Sequence, residues 1–355
     1  MDIQIGEHKI GETHPTYFIA DIAANHDGDL ERARSLIKLA ADAGANAAKF
    51  QNFSAPKIVS DYGFTNMEGQ VSHQASWGKS VFEVYQDASI PFEWTPMLKE
   101  SCDQAGIDYF SSPYDFETID MLDPYVPAYK VGSGEIDWSE AIERMAGFGK
   151  PILLATGASN ICDVQRAVHA VLAINPQLVL MQCNTNYTAS PENFAHIHLR
   201  VLNTYKDMFP EVILGLSDHT FGHTTVLGAI TLSARVVEKH FTDDNTRVGP
   251  DHKFAMNPAT WREMVDAARE LESALGSGDK FVCDNESETV LIQRRCLRTA
   301  RDIRPGEVFT REMIDVLRPA ALGAILPPDI DKVLGTRALS DLPAGKELRW
   351  TDIGA

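Results

Sequence analysis

Positive charge is in short supply. Against 50 Asp and Glu the chain sets only 32 Lys and Arg, a formal net charge of −18 over 355 residues. So acidic a surface repels phosphodiester backbones and anionic lipid, which argues against nucleic-acid or membrane-surface partners. An anionic small molecule stays admissible, but local lysines must hold it against the overall field. Cysteine is scarce too. Cys102, Cys162, Cys183, Cys283 and Cys296 are odd in number, scattered, and lack CxxC or zinc-knuckle spacing. The expectation is reduced thiols in a cytoplasmic protein. The opening "MDIQIGEHKIGETHP" shows no basic n-region and no apolar h-region, so no signal peptide is expected. No apolar run is long enough to span a bilayer.

What is present is a rhythm. Short runs rich in β-branched and other apolar residues alternate with longer runs of helical period. Strands are predicted at 17–23, 47–53, 108–112, 128–133, 151–156, 178–183, 212–217 and 235–241. Helices are predicted between them. In "LERARSLIKLAADAGA", Leu36, Ile37, Ala40 and Ala41 share a face and Gly44 fits the C-terminal cap. Eight such units over about 260 residues match the count and size of a (β/α)8 barrel. A doubly wound open sheet shows the same alternation with fewer units and is the second choice. The opening "IQIGEHKIG" reads as a hairpin closing the barrel floor. Residues 54–93 make a long excursion after the second strand, and loops of that length are usually functional.

A polar linker starts near residue 275, which divides the chain into a barrel, 1–282, and a small β-rich domain, 283–355. "RDIRPGEVFTREMI" from 301 returns in loose form as "SDLPAGKELRWTDI" from 340, so the small domain is expected to have internal symmetry. Its net charge is −1 against −17 for the remainder. Arg294, Arg295, Arg298, Arg301 and Arg304 fall within one short stretch. They make either a solvated face or a surface that docks on an acidic barrel.

Barrel enzymes build their sites at strand C-terminal ends. Polar residues gather at nearly every one: Asp21, then Lys49 and Gln51, Ser111 and Ser112, Lys130 with Ser133 and Glu135, Thr156, Asn184 to Tyr187, Ser217 with His219, and Glu238 to His240. Singly each reads as a rim lysine or a helix cap. Together they point to one end of one barrel. His219 and His240 close adjacent strands, which suits a divalent metal used as a Lewis acid: manganese, zinc or magnesium. The bland reading is a pair of satisfied core histidines. His223 and His252 lie in loops and are weaker ligand candidates. Lys49 and Lys130 would repel each other unless an anion lies between them, and Ser112, Ser133 and Ser217 would complete a phosphate or carboxylate cradle. The bland reading there is a structural Lys–Asp or Lys–Glu pair. Glu135 and Asp251 are the candidate acid/base carboxylates.

At "AYKVGSGE", "GLSDHT", "EKHF" and "VGPDHKFAMNP" the chain resembles the bacterial sialic-acid-type (nonulosonate) synthases over nearly its whole length. The resemblance implies a (β/α)8 TIM barrel followed by an antifreeze-like, or SAF, domain. It implies a homodimer in which the SAF domain caps the partner's barrel. It implies condensation of phosphoenolpyruvate (PEP) with an N-acylated mannosamine-type sugar, helped by a divalent metal: Mn2+ first, with Mg2+, Co2+ or Zn2+ as alternatives. Carried over by motif, Lys49, Gln51, Ser112, Lys130, Ser133, Thr156 and Ser217 would hold PEP. His219 and His240 would hold the metal. Asp21, Glu135, Tyr187, Asp251 and Arg318 would meet the sugar or the attacking water, with catalysis resting on Glu135, Asp251, Lys49 and Lys130. Three positions depart from the family pattern. The first-strand motif A-E-I/L-x-x-N-H-x-G is here "ADIAANHDG", with Asp21 for glutamate. Ala155 takes the serine position of S-T-G. Thr185 takes the asparagine position of C-T-N-x-Y, as the pseudaminate-type branch also has no asparagine there. "SWGKSVFEVYQDASIPFEW", similar to that branch's excursion, leans toward bacterial nonulosonates over mammalian-type sialic acid, with the sugar open between N-acetylmannosamine, a 2,4-diacetamido-trideoxy hexose and others. The competing readings are a metal-dependent TIM-barrel hydrolase or lyase, which does not need paired inward lysines, and a catalytically silent sugar-binding homologue.

Overall fold

The computed structural model describes residues 2–67 and 79–354. Contacts divide the chain into two compact units, 1–276 and 277–355. The larger opens with a hairpin of β1 (Ile3–Ile5) and β2 (His8–Ile10). Eight parallel strands follow: β3 (Tyr17–Asp21), β4 (Ala47–Asn52), β5 (Asp108–Pro113), β6 (Tyr129–Val131), β7 (Ile152–Ala155), β8 (Leu178–Cys183), β9 (Ile213–Asp218) and β10 (Ala234–His240). They lie in the order β5-β4-β3-β10-β9-β8-β7-β6, with first and last strands side by side. That is the eight-stranded TIM-like barrel; an open doubly wound sheet would not return β10 onto β3 in this way.

Two cores hold it. Inside the barrel, Ile3, Ile5 and Ile10 of the hairpin pack on Tyr17, Ile19, Phe110, Leu153, Val179 and Val236, so the hairpin plugs the floor. Outside, the opposite faces of the strands pack on the helices. The first helix, Leu30–Asp42, is capped by Asp29, whose side chain accepts from the amides of Glu31 and Arg32. It buries Ala33, Leu36, Ile37 and Ala40 at helical spacing, and Gly44 follows at φ +95.

The excursion folds as short helices, Ala55–Ile58, Asp61–Thr65 and Val81–Ala88, around their own cluster of Ala55, Val59 and Val81. Trp77, part of the branch motif, lies outside the described residues. No described helix is long and apolar enough to cross a membrane.

The small unit bears out the repeat. Arg311–Met313 and Trp350–Asp352 form matching 3-10 turns, each followed by a strand, and Gly306 and Gly345 share a left-handed φ of +84 and +80. Ile303 and Leu342, equivalent positions of the two copies, bridge each other through both amides.

Strand alternation makes β10 do two things. Glu238 and His240 face inward. Lys239 faces the helix layer, where its ammonium meets Asp218 Oδ2 at 2.5 Å and the Thr220 carbonyl at 2.6 Å. Burial opposes ionisation of Asp218, but Lys239 outweighs it and holds the carboxyl below its ordinary range. Lys239→Met strands that carboxylate without its cation. We expect a loss of about 3–5 kcal/mol of stability in a urea titration followed by circular dichroism; an unchanged midpoint would contradict the role.

Candidate active site

One cavity of about 370 Å³ opens where the strand C-terminal ends converge. It is lined by Asp21, Lys49, Gln51, Ser112, Lys130, Ser133, Glu135, Tyr187, Ser217, His219, His240 and Asp251, all named from sequence. Period-two geometry explains the gathering. On β4, Lys49 and Gln51 point in and Phe50 points out into the helix-side core. On β5, Ser112 points in, while Ser111 turns away to donate to Asn52 Oδ1 at 2.5 Å.

Within the large unit one expected residue is not brought there. Thr156 is absent from the cavity lining: its hydroxyl donates to the Met181 carbonyl at 3.0 Å and accepts from Tyr205 at 3.0 Å. The β7 end therefore faces its hydroxyl toward β8 and the helix Val201–Met208 that follows it, and not into the cavity. Arg318 lies exposed in the small unit.

The lysines are paired by side chains of this chain. Lys49 Nζ stands 2.7 Å from Asp21 Oδ2 and 3.6 Å from Glu238 Oε1; Lys130 Nζ stands 3.5 Å from the same Glu238 oxygen. Ser217 donates to it at 3.3 Å. The carboxylate that separates the two cations is thus Glu238, which sequence reasoning placed on the strand but not in the site. Its signal was in view, a glutamate two positions before an inward histidine. Burial weakens the Lys49 charge, but Asp21 and Glu238 outweigh it and raise its pKa. Glu238 Oε2 and Ser112 Oγ are buried without a partner, which marks polar capacity left over at the floor.

Glu135 stands over Gly132. A Cβ at Gly132 would come within 2.4 Å of its Oε2, so a side chain there would displace the carboxylate. Burial pushes the Glu135 carboxyl up to about 7, with Lys130 opposing. Asp251 rises to about 6, by burial and then by the charge of Asp21. Both protonate near neutrality, as proton-transfer groups require.

The imidazoles form a second cluster. His219 and His240 have ring centroids 5.3 Å apart, boxed by Tyr187 at 4.4 Å from His219 and Phe254 at 4.9 Å from His240. His219 Nδ1 donates to the Asn184 carbonyl at 2.9 Å, which leaves Nε2 with its lone pair. Burial, then the charge of His219, lowers the His240 pKa well below its ordinary value, and its Nδ1, 3.8 Å from Asp251 Oδ2, has no hydrogen-bond partner. At His219 burial is outweighed by Cys183 and the Asn184 carbonyl, which raise its pKa. Two imidazoles side by side, once both are neutral, are the donor set a borderline divalent ion takes. Among the described residues no group of three or more His, Cys, Asp and Glu stands ready to hold an ion. An ion held by the two imidazoles would keep positions open for substrate.

Sequence reasoning also missed the wall. Tyr85, Val84 and Ala88 of the excursion helix, with Ile58, Val59 and Phe64, close one side of the cavity.

Residues 36–280 match the NeuB family, and residues 294–354 match the SAF domain. The chain belongs to the NeuB family. It is 33% identical to the spore coat polysaccharide biosynthesis protein SpsE of Bacillus subtilis, over 99% of this chain and 96% of the relative. It is 32% identical to a pseudaminic acid synthase of Campylobacter jejuni, over 99% of both chains. The crystal structure of an N-acetylneuraminic acid synthetase from Leptospira borgpetersenii superimposes with a TM-score of 0.71 at 27% identity, covering 82% of this chain and 95% of that one. Membership in the NeuB family makes this chain an enzyme of the synthase type.

The raised Glu135 pKa carries a sign. Its ordinary value is 4.5 and its folded value about 7, so the folded state binds the extra proton. The stability this contributes is present below about 4.5 and lost as pH rises through about 7. Glu135→Gln, neutral throughout, should match wild type in acid and melt about 2–6 °C higher at pH 8. Calorimetry at both pH values checks it; a pH-independent difference would contradict the assignment.

Proposed function

We propose that this chain condenses PEP with an unphosphorylated N-acylated mannosamine-type sugar, giving a nine-carbon nonulosonic acid and phosphate. The observation that carries the reading is the meeting, in one cavity, of a carboxylate-balanced lysine pair with two neighbouring imidazoles. A hydrolase needs the second and not the first.

In this reading Lys49 and Lys130 hold the PEP phosphate and carboxylate, with Gln51, Ser112, Ser133 and Ser217 supplying neutral hydrogen bonds. A divalent ion, manganese in the first instance, would sit on His219 and His240 and polarise the sugar's aldehyde oxygen. Carbon 3 of PEP then bonds to the aldehyde carbon, and the alkoxide takes a proton from Asp251 in its acid form. Positive charge develops at carbon 2 of PEP, and Glu135 as carboxylate stabilises it. Water adds there, giving its proton to Glu135. The tetrahedral carbon expels phosphate by C–O cleavage as its hydroxyl proton passes to the leaving oxygen, which gives the 2-keto acid and hydrogen phosphate, and the lysines stabilise the departing dianion.

The acceptor's far end meets the excursion wall. Burial, and then the charges of Asp251 and Glu135, raise the Tyr85 pKa, and Tyr85 lines the same cavity as those two carboxylates. Ile58, Val59, Val84 and Ala88 make that side apolar. Lys49 and Lys130 are the only Lys or Arg among the described lining residues. An acyl or deoxygenated terminus therefore fits better than a second phosphate ester. Each of N-acetylmannosamine, its phosphate ester and a diacetamido-trideoxyhexose would be offered with PEP and manganese, and phosphate release and product mass recorded. We expect release with a nonphosphorylated acceptor. Release only with the ester would overturn the acceptor assignment, and none with any sugar the reaction itself.

We further propose a cytoplasmic homodimer whose small unit caps the partner's barrel and brings Arg318 to the N-acyl group. Arg318→Ala should then raise the sugar KM by about 1.5–3 kcal/mol, with little effect on PEP. Mixing it with Lys49→Met should restore about a quarter of wild-type activity, because each mixed dimer holds one intact site. No recovery on mixing would contradict the swap.

A further inference from the structure

Asp251 enters the cavity from a loop, 241–257, and not from a strand. A loop side chain holds a productive position only when its supports are fixed. Here the supports converge on one residue. His252 is fully buried, with Nδ1 2.8 Å from Thr242 Oγ1 and Nε2 3.0 Å from Asp27 Oδ1. Arg247, on the other flank of Asp251, closes on Asp27 Oδ2 through Nε at 2.8 Å and Nη2 at 2.7 Å. Arg32 Nε stands 3.2 Å from the same oxygen, and its terminal nitrogens grip Asp243 at 2.9 and 2.5 Å.

Asp27 thus ties both flanks of Asp251 and the end of β10 to the loop after β3. That loop also presents the Ala24 amide, which donates to Asp251 Oδ2 at 3.4 Å. Gly249 lets the segment wrap this closely, since a Cβ there would lie 2.7 Å from the His252 ring. Asp27 takes φ +53, a left-handed conformation that aspartate tolerates better than most residues. It is not among the cavity-lining residues, and it occupies the position that the first-strand motif leaves open.

We propose that Asp27 is a positioning residue, which through His252 and Arg247 sets Asp251 at its place beside Ala24 and His240. The proposal rests on the condensation described above, in which Asp251 serves the sugar and not PEP. Its mark is therefore an asymmetry between substrates.

Steady-state kinetics of the full-length protein would compare wild type with Asp27→Ala, Asp27→Asn and Arg247→Gln. Asp27→Ala should lower kcat by about ten- to a hundred-fold, the range typical of lost supporting contacts. It should raise the sugar KM and leave the PEP KM within about two-fold. Asp27→Asn keeps one oxygen for His252 and should recover part of the loss. Arg247→Gln changes a half-exposed arm, so it should fold normally and shift the same parameters in the same direction by a few-fold. Wild-type values in both Asp27→Ala and Arg247→Gln would overturn the proposal. So would equal losses for both substrates accompanied by a lowered Tm, which indicate a purely structural role. Absence of wild-type turnover with every acceptor sinks the reaction and the proposal together. Wild-type turnover with unchanged variants sinks the proposal alone.

Discussion

Two buried lysines held against carboxylates at the bottom of the cavity are the constraint from which the rest follows. Lys49 and Lys130 are each nearly fully buried. An isolated charge there would be neutralised or expelled. The fold answers with Asp21 and Glu238, so the floor carries two cations and two carboxylates in contact. That balance is not the cheapest way to fill a core; apolar residues of similar volume serve as well or better. Its use is preorganisation. A dianion arriving here finds cations already fixed and already dehydrated, and the carboxylates beside them keep the cluster stable until it does. The balance is also local. The large unit is strongly acidic as a whole, so selectivity for an anion has to be produced over a few ångströms, below the reach of ionic screening.

The same alternation that builds the floor separates function from support within single strands. On β10, Glu238 and His240 serve the cavity while Lys239 secures the wall behind it through Asp218. On β9, Ser217 faces in and Asp218 out, in register with β10: Glu238 pairs with Ser217 and Lys239 with Asp218. A register slip of one residue would exchange the two sets. Thr220 and Thr225 add hydroxyls to Asp218 at 2.8 and 2.7 Å, so the outer pair is hydrogen-bonded on several sides.

How much could be read in the chain follows from this geometry. Strands buried on both faces print as short apolar runs, so all eight were legible, and with them the residues at their ends. Period two tells which of these face inward once one of them is known. It does not tell that Thr156 spends its hydroxyl on Met181 and Tyr205, because those partners are brought in by tertiary packing. Glu238 was visible at its strand end, and a Lys–Glu pair was one of the two readings of the lysines. Which glutamate or aspartate would meet them depends on the register of neighbouring strands, which the sequence does not print. Tyr85 and the apolar wall come from the excursion, whose short helices have no strand rhythm to align them with the mouth. Asp27 and His252 are 225 positions apart, and no local pattern joins them.

The shorter acid at the first strand end is explained by its own bonds. Asp21 Oδ1 accepts from the amide of Ala23, two residues on, at 3.1 Å. That is an Asx-type turn, and it requires the one-methylene side chain of Asp or Asn. With Oδ1 fixed, Oδ2 is aimed at Lys49, 2.7 Å away, and at His240 Nε2, 3.6 Å away. One carboxylate therefore touches both the cation cluster and the imidazole cluster. A glutamate would reach farther but would give up the amide that orients it. The left-handed turn at Ala23, φ +44, lies inside the same bend and brings Ala24 round to Asp251. Substituting Asp for Glu thus need not weaken the site: it exchanges reach for a fixed direction, and it couples Asp21, Ala24 and Asp251 through a single turn of backbone.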